Sequence, residues 1–156
     1  MRKAVFLMMT AMALSSCSED VSMNNPGFQG LKDDVLWRGS GATATLNEGG
    51  SVTIEGARKF ETLTIDLPSP NVGTYNLGQT MNSNATFVIN NGAEQYIYST
   101  GIDNPSAGEV KITEYDTDAK TITGTFRFNS LIVDDNPLVI PILNFQQGII
   151  YKVPVL

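Results

Sequence analysis

The sequence predicts an all-β fold, either an antiparallel β-sandwich or an up-and-down β-barrel of about ten short strands. Three observations carry this prediction. Apolar and polar residues alternate with period two through most of the chain after residue 27. Clusters of Gly, Asn, Asp and Ser interrupt the alternation roughly every 8 to 12 residues. No stretch of about ten residues in that region carries the helical period.

Leu36, Trp37 and Arg38 fit a first strand whose indole plugs the end of the core. Ala42, Ala44 and Leu46 then alternate with Thr43 and Thr45, and Val52 and Ile54 with Ser51, Thr53 and Glu55. Leu63, Ile65 and Leu67 alternate with Thr62, Thr64 and Asp66. Each run has one buried face, and the short links at 47–50 and 56–59 make neighbours antiparallel. Tyr75 with Leu77, residues 85–90 around Phe87 and Ile89, and residues 95–100 continue the series.

Residues 108–129 form the clearest hairpin. Val110 and Ile112 share a face on one arm, Ile122, Phe126 and Phe128 share a face on the other, and residues 116–120 make the bend. Gly124 falls on the apolar face, where a missing side chain admits a close cross-strand neighbour or a sharp bend. Two further strands are expected at 138–145 and 148–153. Pro141 cannot donate to a ladder and marks the former as an edge strand or a bulge. The sandwich is preferred, and a lipocalin-like barrel enclosing a ligand cavity is the competitor.

At 156 residues, with 42% apolar and 17% charged side chains, the chain suits one compact domain. Its formal charge of −6 becomes −8 if residues 1–16 leave, because Arg2 and Lys3 go while all 16 acids remain. Nucleic-acid binding requires a basic face that displaces counterions, and no basic run exceeds Arg58-Lys59. That class is excluded.

The first residues follow the grammar of an export signal: Arg2 and Lys3, an apolar segment at 4–14, then Ser15 and Ser16. As a helix the apolar segment would reach only ~16 Å, about half of a ~30 Å hydrocarbon core. Leu14-Ser15-Ser16-Cys17 resembles a bacterial lipobox. The resemblance implies cleavage before Cys17, acylation of that cysteine and anchoring to a membrane, for which two or more acyl chains are needed. The alternative is an ordinary secretory signal with a chance cysteine. Cys17 is the sole thiol, so no intramolecular disulfide forms.

Ser18 stands where an aspartate would resemble an inner-membrane retention signal, which favours the outer membrane. Ser18, Glu19 and Asp20 are similar to the serine-plus-acid export signal of Bacteroidota surface lipoproteins; the alternative is a solvated acidic tether. The expected organisation is a cleaved signal peptide at 1–16, the lipidated cysteine and a flexible tether at 17–27, and one all-β domain at 28–156. The tether, ending in Asn25-Pro26-Gly27, spans at most ~33 Å.

Residues 112–116 with 120–126, Gly148, and Tyr151-Lys152-Val153-Pro154 resemble a family of Bacteroidota outer-membrane lipoproteins with one β-rich domain of unknown function. Gly73-Thr74-Tyr75-Asn76-Leu77 fits more loosely, and Ala119 stands where the family turn carries asparagine. The resemblance implies a class and an address and carries no chemistry with it.

Without histidine there is no Ser-His-Asp or Cys-His pair and no His-based zinc site. Only carboxylate chemistry remains, and Glu114, which shares the parity of Val110 and Ile112, is the acid of interest. Strand-end acids ordinarily emerge into water, so the chain is read as non-enzymatic and without a cofactor. Asp116 and Asp118 open like a calcium loop, but Lys120 and Thr121 occupy the next ligand position and the glycine position of an EF-hand. Asp134 and Asp135 offer oxygens beside an Asn-Pro turn, and calcium binding at either pair is left open. Tyr96 and Tyr98, about 6.8 Å apart on one strand face, are the candidate platform for a glycan ligand, with core packing as the alternative. The expected function is a lipid-anchored module that binds a glycan, peptide or protein. A structural subunit of an outer-membrane assembly is the alternative, and a carboxylate hydrolase is third.

Overall fold

The computed structural model describes residues 27–101, 107–133 and 139–156. Cys17, Ser18, Glu19, Asp20, Asp134 and Asp135 lie outside the described residues. Ten strands follow one another: β1 (Gly27–Lys32), β2 (Val35–Leu46), β3 (Val52–Arg58), β4 (Glu61–Leu67), β5 (Gly73–Leu77), β6 (Asn84–Asn90), β7 (Gln95–Ser99), β8 (Gly108–Asp116), β9 (Thr121–Ile132) and β10 (Ile142–Pro154). The fold is all-β, as the period-two patterning predicts.

Eight strands close a barrel in the order β10-β1-β2-β3-β4-β6-β7-β9, with β9 returning to β10 and every neighbour antiparallel. The remaining two, β8 and β5, extend outward from β9. One edge of β9 therefore serves two neighbours: Thr121 to Phe128 pair with β8, while Leu131 and Ile132 pair with β7. The barrel replaces the preferred sandwich, because the first and last strands of the chain find each other across more than 100 residues, Phe28 opposite Ile150 and Lys32 opposite Phe145. Closure removes the unpaired edges of the eight barrel strands, while β5, paired with β8 alone, still presents one to solvent.

The two strands expected at 138–145 and 148–153 are one strand of 13 residues. Pro141 sits just before it, and its carbonyl accepts the N–H of Ile132 at 3.0 Å. β10 is consequently an interior strand with partners on both sides, not the edge that the proline suggests. Register shifts between Phe145 and Gly148, and between Ile150 and Val153, let this long strand coil around the barrel.

Aromatic rings fill the interior. Trp37 meets Phe28, Phe87 and Phe145 edge-on at centroid distances of 5.8, 6.0 and 5.8 Å, and Phe126 and Phe128 complete the cluster. Trp37 is fully buried, as its sequence context suggests. Gly124 is buried on the inner face of β9, where a Cβ would lie 2.4 Å from the Lys111 carbonyl oxygen and 3.2 Å from the Ile112 Cα. Its lack of a side chain lets β8 and β9 approach, as expected from the hairpin pattern.

The two ends of the barrel differ. At one, the C-terminus folds across β2: Val155 bridges to Ala44, and the Leu156 N–H donates to the Ala44 carbonyl at 2.8 Å. The other end, called the mouth below, is ringed by the β1–β2, β3–β4 and β6–β7 turns.

Candidate functional site

The outer face of β5, β8, β9 and β10 carries a row of polar side chains that the register fixes. Asn76 pairs with Glu109, and Glu109 pairs with Arg127. On β10 the ladder slips between Phe145 and Gly148, leaving Gln146 and Gln147 consecutive and both exposed beside Arg127. At the ~4.8 Å spacing of neighbouring strands the row spans roughly 14 Å. A second rung, Asn129 opposite Asn144, lies next to it, with the Asn144 amide donating to the Asn129 side-chain oxygen.

Arg127 holds the Glu109 carboxylate side-on, its Nε and Nη2 at 3.2 and 3.1 Å from Oε1. Two cavities of about 630 and 350 Å³ share Glu109, Arg127 and Gln147. Gly108 lines the larger; with φ at 148° it brings β8 so close to β9 that a Cβ would sit 2.1 Å from the Arg127 carbonyl oxygen. Gln147 has φ at 50°, a conformation that costs a non-glycine residue of order 1 kcal/mol or more and aims its amide outward. Amides donate and accept, the guanidinium donates and the carboxylate accepts. Such a row matches a ligand that is itself donor and acceptor along its length.

The mouth is chemically opposite. A cavity of about 390 Å³ is lined by Val35, Leu36, Trp37, Phe60 and Ile89, with Lys32, Arg58, Lys59 and Glu61 at its polar margin. Val35, Leu36 and Phe60 are 64%, 57% and 62% exposed. Lys32 forms an ion pair with Glu61 and stands 4.9 Å from the centroid of the Phe87 ring. Arg58 donates through Nη1 to the Leu36 carbonyl at 3.1 Å. The Trp37 indole N–H has no acceptor, and it is the one buried side-chain polar atom among the described residues in that condition. Leaving such a donor unsatisfied costs about 1–3 kcal/mol.

The tyrosine pair is not a displayed platform. Tyr98 is only 3% exposed and donates to the Ile140 carbonyl at 3.1 Å, so its ring belongs to the core. Burial, with Asp33 contributing, pushes its phenol above the usual pKa. Tyr96 packs half-buried against the same core and donates to Glu94, a bond that raises its pKa. Both rings turn inward because the apolar parity of β7 is Tyr96 and Tyr98, with Ile97 half-buried on the other face. Glu114 is exposed: a register shift between Ile112 and Glu114 takes it off the parity of Val110 and Ile112, and it lines none of the three cavities above. Asp116 is engaged in its own turn, accepting the N–H groups of Asp118 and Ala119 at 3.0 and 2.8 Å. Among the described residues no three Asp, Glu, Cys or His side chains gather as a metal site.

A family model, the domain of unknown function DUF6252, matches residues 24–154. The chain belongs to the DUF6252 family. No curated protein and no solved structure matches it. The match runs from the end of the predicted tether to the last residue of β10, so in this DUF6252 protein the polar row and the mouth both fall inside the family domain. Period-two alternation puts Glu109, Arg127 and Asn129 on a polar face, opposite Val110, Phe126 and Phe128, with nothing in the pattern to single them out. The usable signal in the DUF6252 chain is Gln146-Gln147, two polar residues in succession between Phe145 and Gly148, which interrupt the alternation where the bulge forms.

Proposed function

We propose that the protein is a lipid-anchored, non-catalytic binding module of the cell envelope, held by acyl chains on Cys17, whose ligand is a glycan lying along the barrel wall. The observation that carries this reading is the row Asn76, Glu109, Arg127, Gln146 and Gln147 across four neighbouring strands. Sugar hydroxyls both donate and accept, and planar amides, a carboxylate and a guanidinium on rigid strands answer them without reordering.

The lipobox at 14–17 and the acidic tether support an outer-membrane, surface-exposed address. β1 starts at Gly27 and runs toward the Asp33-Asp34 turn at the mouth, so the tether joins the domain away from the mouth. An anchored domain would then present its wall sideways and its mouth outward.

Glycan-array screening followed by calorimetry tests the ligand class. Arg127→Ala and Gln146→Ala are expected to weaken the best glycan at least tenfold, about 1.4 kcal/mol or more. Wild-type affinity in both variants would reject the row as the site. The address is tested by the intact mass of the mature chain, which should carry acyl chains on Cys17, and by proteinase K digestion of intact cells. An unmodified full-length chain refutes the anchor. Protection of the wild type until lysis refutes surface exposure.

A further inference from the structure

We infer that the barrel mouth is a second, separate binding site, for a small amphipathic carboxylate whose apolar body lies against Val35, Leu36 and Phe60. Two independent features point to a ligand there. The first is the buried Trp37 N–H without an acceptor, on a side chain that lines the mouth cavity and is 0% exposed. The second is the gathering of three large exposed apolar side chains around one cavity, whereas other exposed apolar side chains, Val72, Met81 and Leu131 among them, line none of the cavities described above. The cavity, about 390 Å³, lies within the range of ~300–1,000 Å³ typical of small-molecule sites.

The unsatisfied chemistry specifies the ligand's polar end. Indole, guanidinium and ammonium groups only donate. The lining holds three cations, Lys32, Arg58 and Lys59, against one acid, Glu61, and that acid is taken by Lys32. Asp33, in the adjoining turn, is engaged elsewhere, accepting the Asn144 N–H at 2.9 Å. Asp34 follows it in the turn and does not line the cavity. Arg58 spends one donor on the Leu36 carbonyl, which fixes the guanidinium at the rim and leaves its other N–H groups available. Asn91 also lines the cavity, but its side-chain oxygen already accepts the N–H groups of Ala93 and Glu94 at 3.1 and 2.8 Å. A carboxylate supplies the free acceptors that this lining lacks, and charge-assisted bonds to it are the strong kind. The aromatic core below is closed, so the ligand sits in the mouth and does not thread the barrel.

Trp37 is the sole tryptophan, so the protein reports on this site without labelling beyond nitrogen-15: a proton–nitrogen correlation spectrum contains one indole peak. The full-length protein is titrated with phenylbutyrate, and with phenylbutylamine as the charge-reversed control. Phenylbutyrate is expected to move the indole proton downfield and to saturate, whereas the amine leaves it in place. Arg58→Gln and Phe60→Ser, both at exposed positions, are expected to keep the free-state spectrum and to weaken phenylbutyrate about tenfold. Gln146→Ala on the wall is expected to change nothing here, which separates this inference from the glycan reading. No indole shift up to about 10 mM phenylbutyrate overturns the proposal. Equal shifts with the amine, or wild-type affinity in both variants, do the same. A concentration-dependent dimer that Phe60→Ser abolishes, with an indole peak indifferent to phenylbutyrate, overturns it in favour of contact between two copies of the chain.

Discussion

On the wall of the barrel, Asn76, Glu109, Arg127, Gln146 and Gln147 stand on the outward side of four strands whose inward side chains build the core. At the mouth, Val35, Leu36 and Phe60 stand at strand ends and a turn directly above Trp37 and Phe87. The wall is displayed by the pleat, so its side chains are free of the core and their replacement leaves stability nearly unchanged. The mouth is the top of the core itself, and its floor cannot be altered without altering the fold. One barrel thus offers a wall, and an exposed rim at the mouth, on which side chains can be changed apart from the core, and a mouth floor on which they cannot.

The sharpest way to break this contrast is at the floor. Phe87→Ala removes a fully buried ring that touches Trp37 and Phe145, and is expected to cost about 3–5 kcal/mol in urea unfolding. A loss below ~1 kcal/mol would mean that the mouth is not part of the core. Lys32→Met strands Glu61 and removes the cation over the Phe87 ring. With both partners 21% exposed, the expected loss lies between the surface and buried cases, about 1–2 kcal/mol.

Tyr98→Phe separates packing from hydrogen bonding. At neutral pH it should cost about 1 kcal/mol, through the bond to Ile140. The Tyr98 phenol keeps its proton in the fold after the unfolded chain begins to lose it near the ordinary value of 10.0. Its contribution is therefore complete below about pH 10 and declines as the pH rises through the higher folded-state value. Unfolding midpoints measured across the alkaline range should fall less steeply in the variant, and parallel curves would show that Tyr98 does not set the slope.

Two wall substitutions carry the smallest effects on stability and the most discriminating ones on recognition. Gln147→Gly relieves a left-handed non-glycine residue and should raise stability by about 0.5–1 kcal/mol while weakening the glycan. A variant that is destabilised, or that binds as wild type, contradicts an amide placed there at a conformational cost. Glu109→Gln breaks an ion pair whose side chains are 71% and 39% exposed, so unfolding should change by no more than ~0.5 kcal/mol. Its glycan affinity, in contrast, should drop severalfold.

Much of the fold was legible because strand patterning is local. The alternation in 62–67 and 121–128 reappears as the burial of Leu63, Ile65, Leu67, Ile122, Phe126 and Phe128, and Gly124 proves to be the close approach of β8 and β9. Legibility failed where one residue of slip matters. Glu114 kept the apolar parity on paper and lost it to a bulge, and the two expected C-terminal strands fused through another. The tyrosine pair was visible as a shared face, but a face becomes a platform or a core wall only according to which side the sheet closes on.

By itself the sequence determined the all-β class, the inward residues of most strands and the net negative charge, since each follows from composition or from side-chain period along a few residues. The expectation of an export signal at residues 1–17 rests on linear sequence alone, outside the described residues. Tertiary structure alone decided that the sheet closes as a barrel, that β10 joins β1 to β9, and that Asn76, Glu109, Arg127 and the Gln146-Gln147 pair stand in one row. These depend on register between strands up to more than 100 residues apart, and a shift of one residue would invert every face concerned.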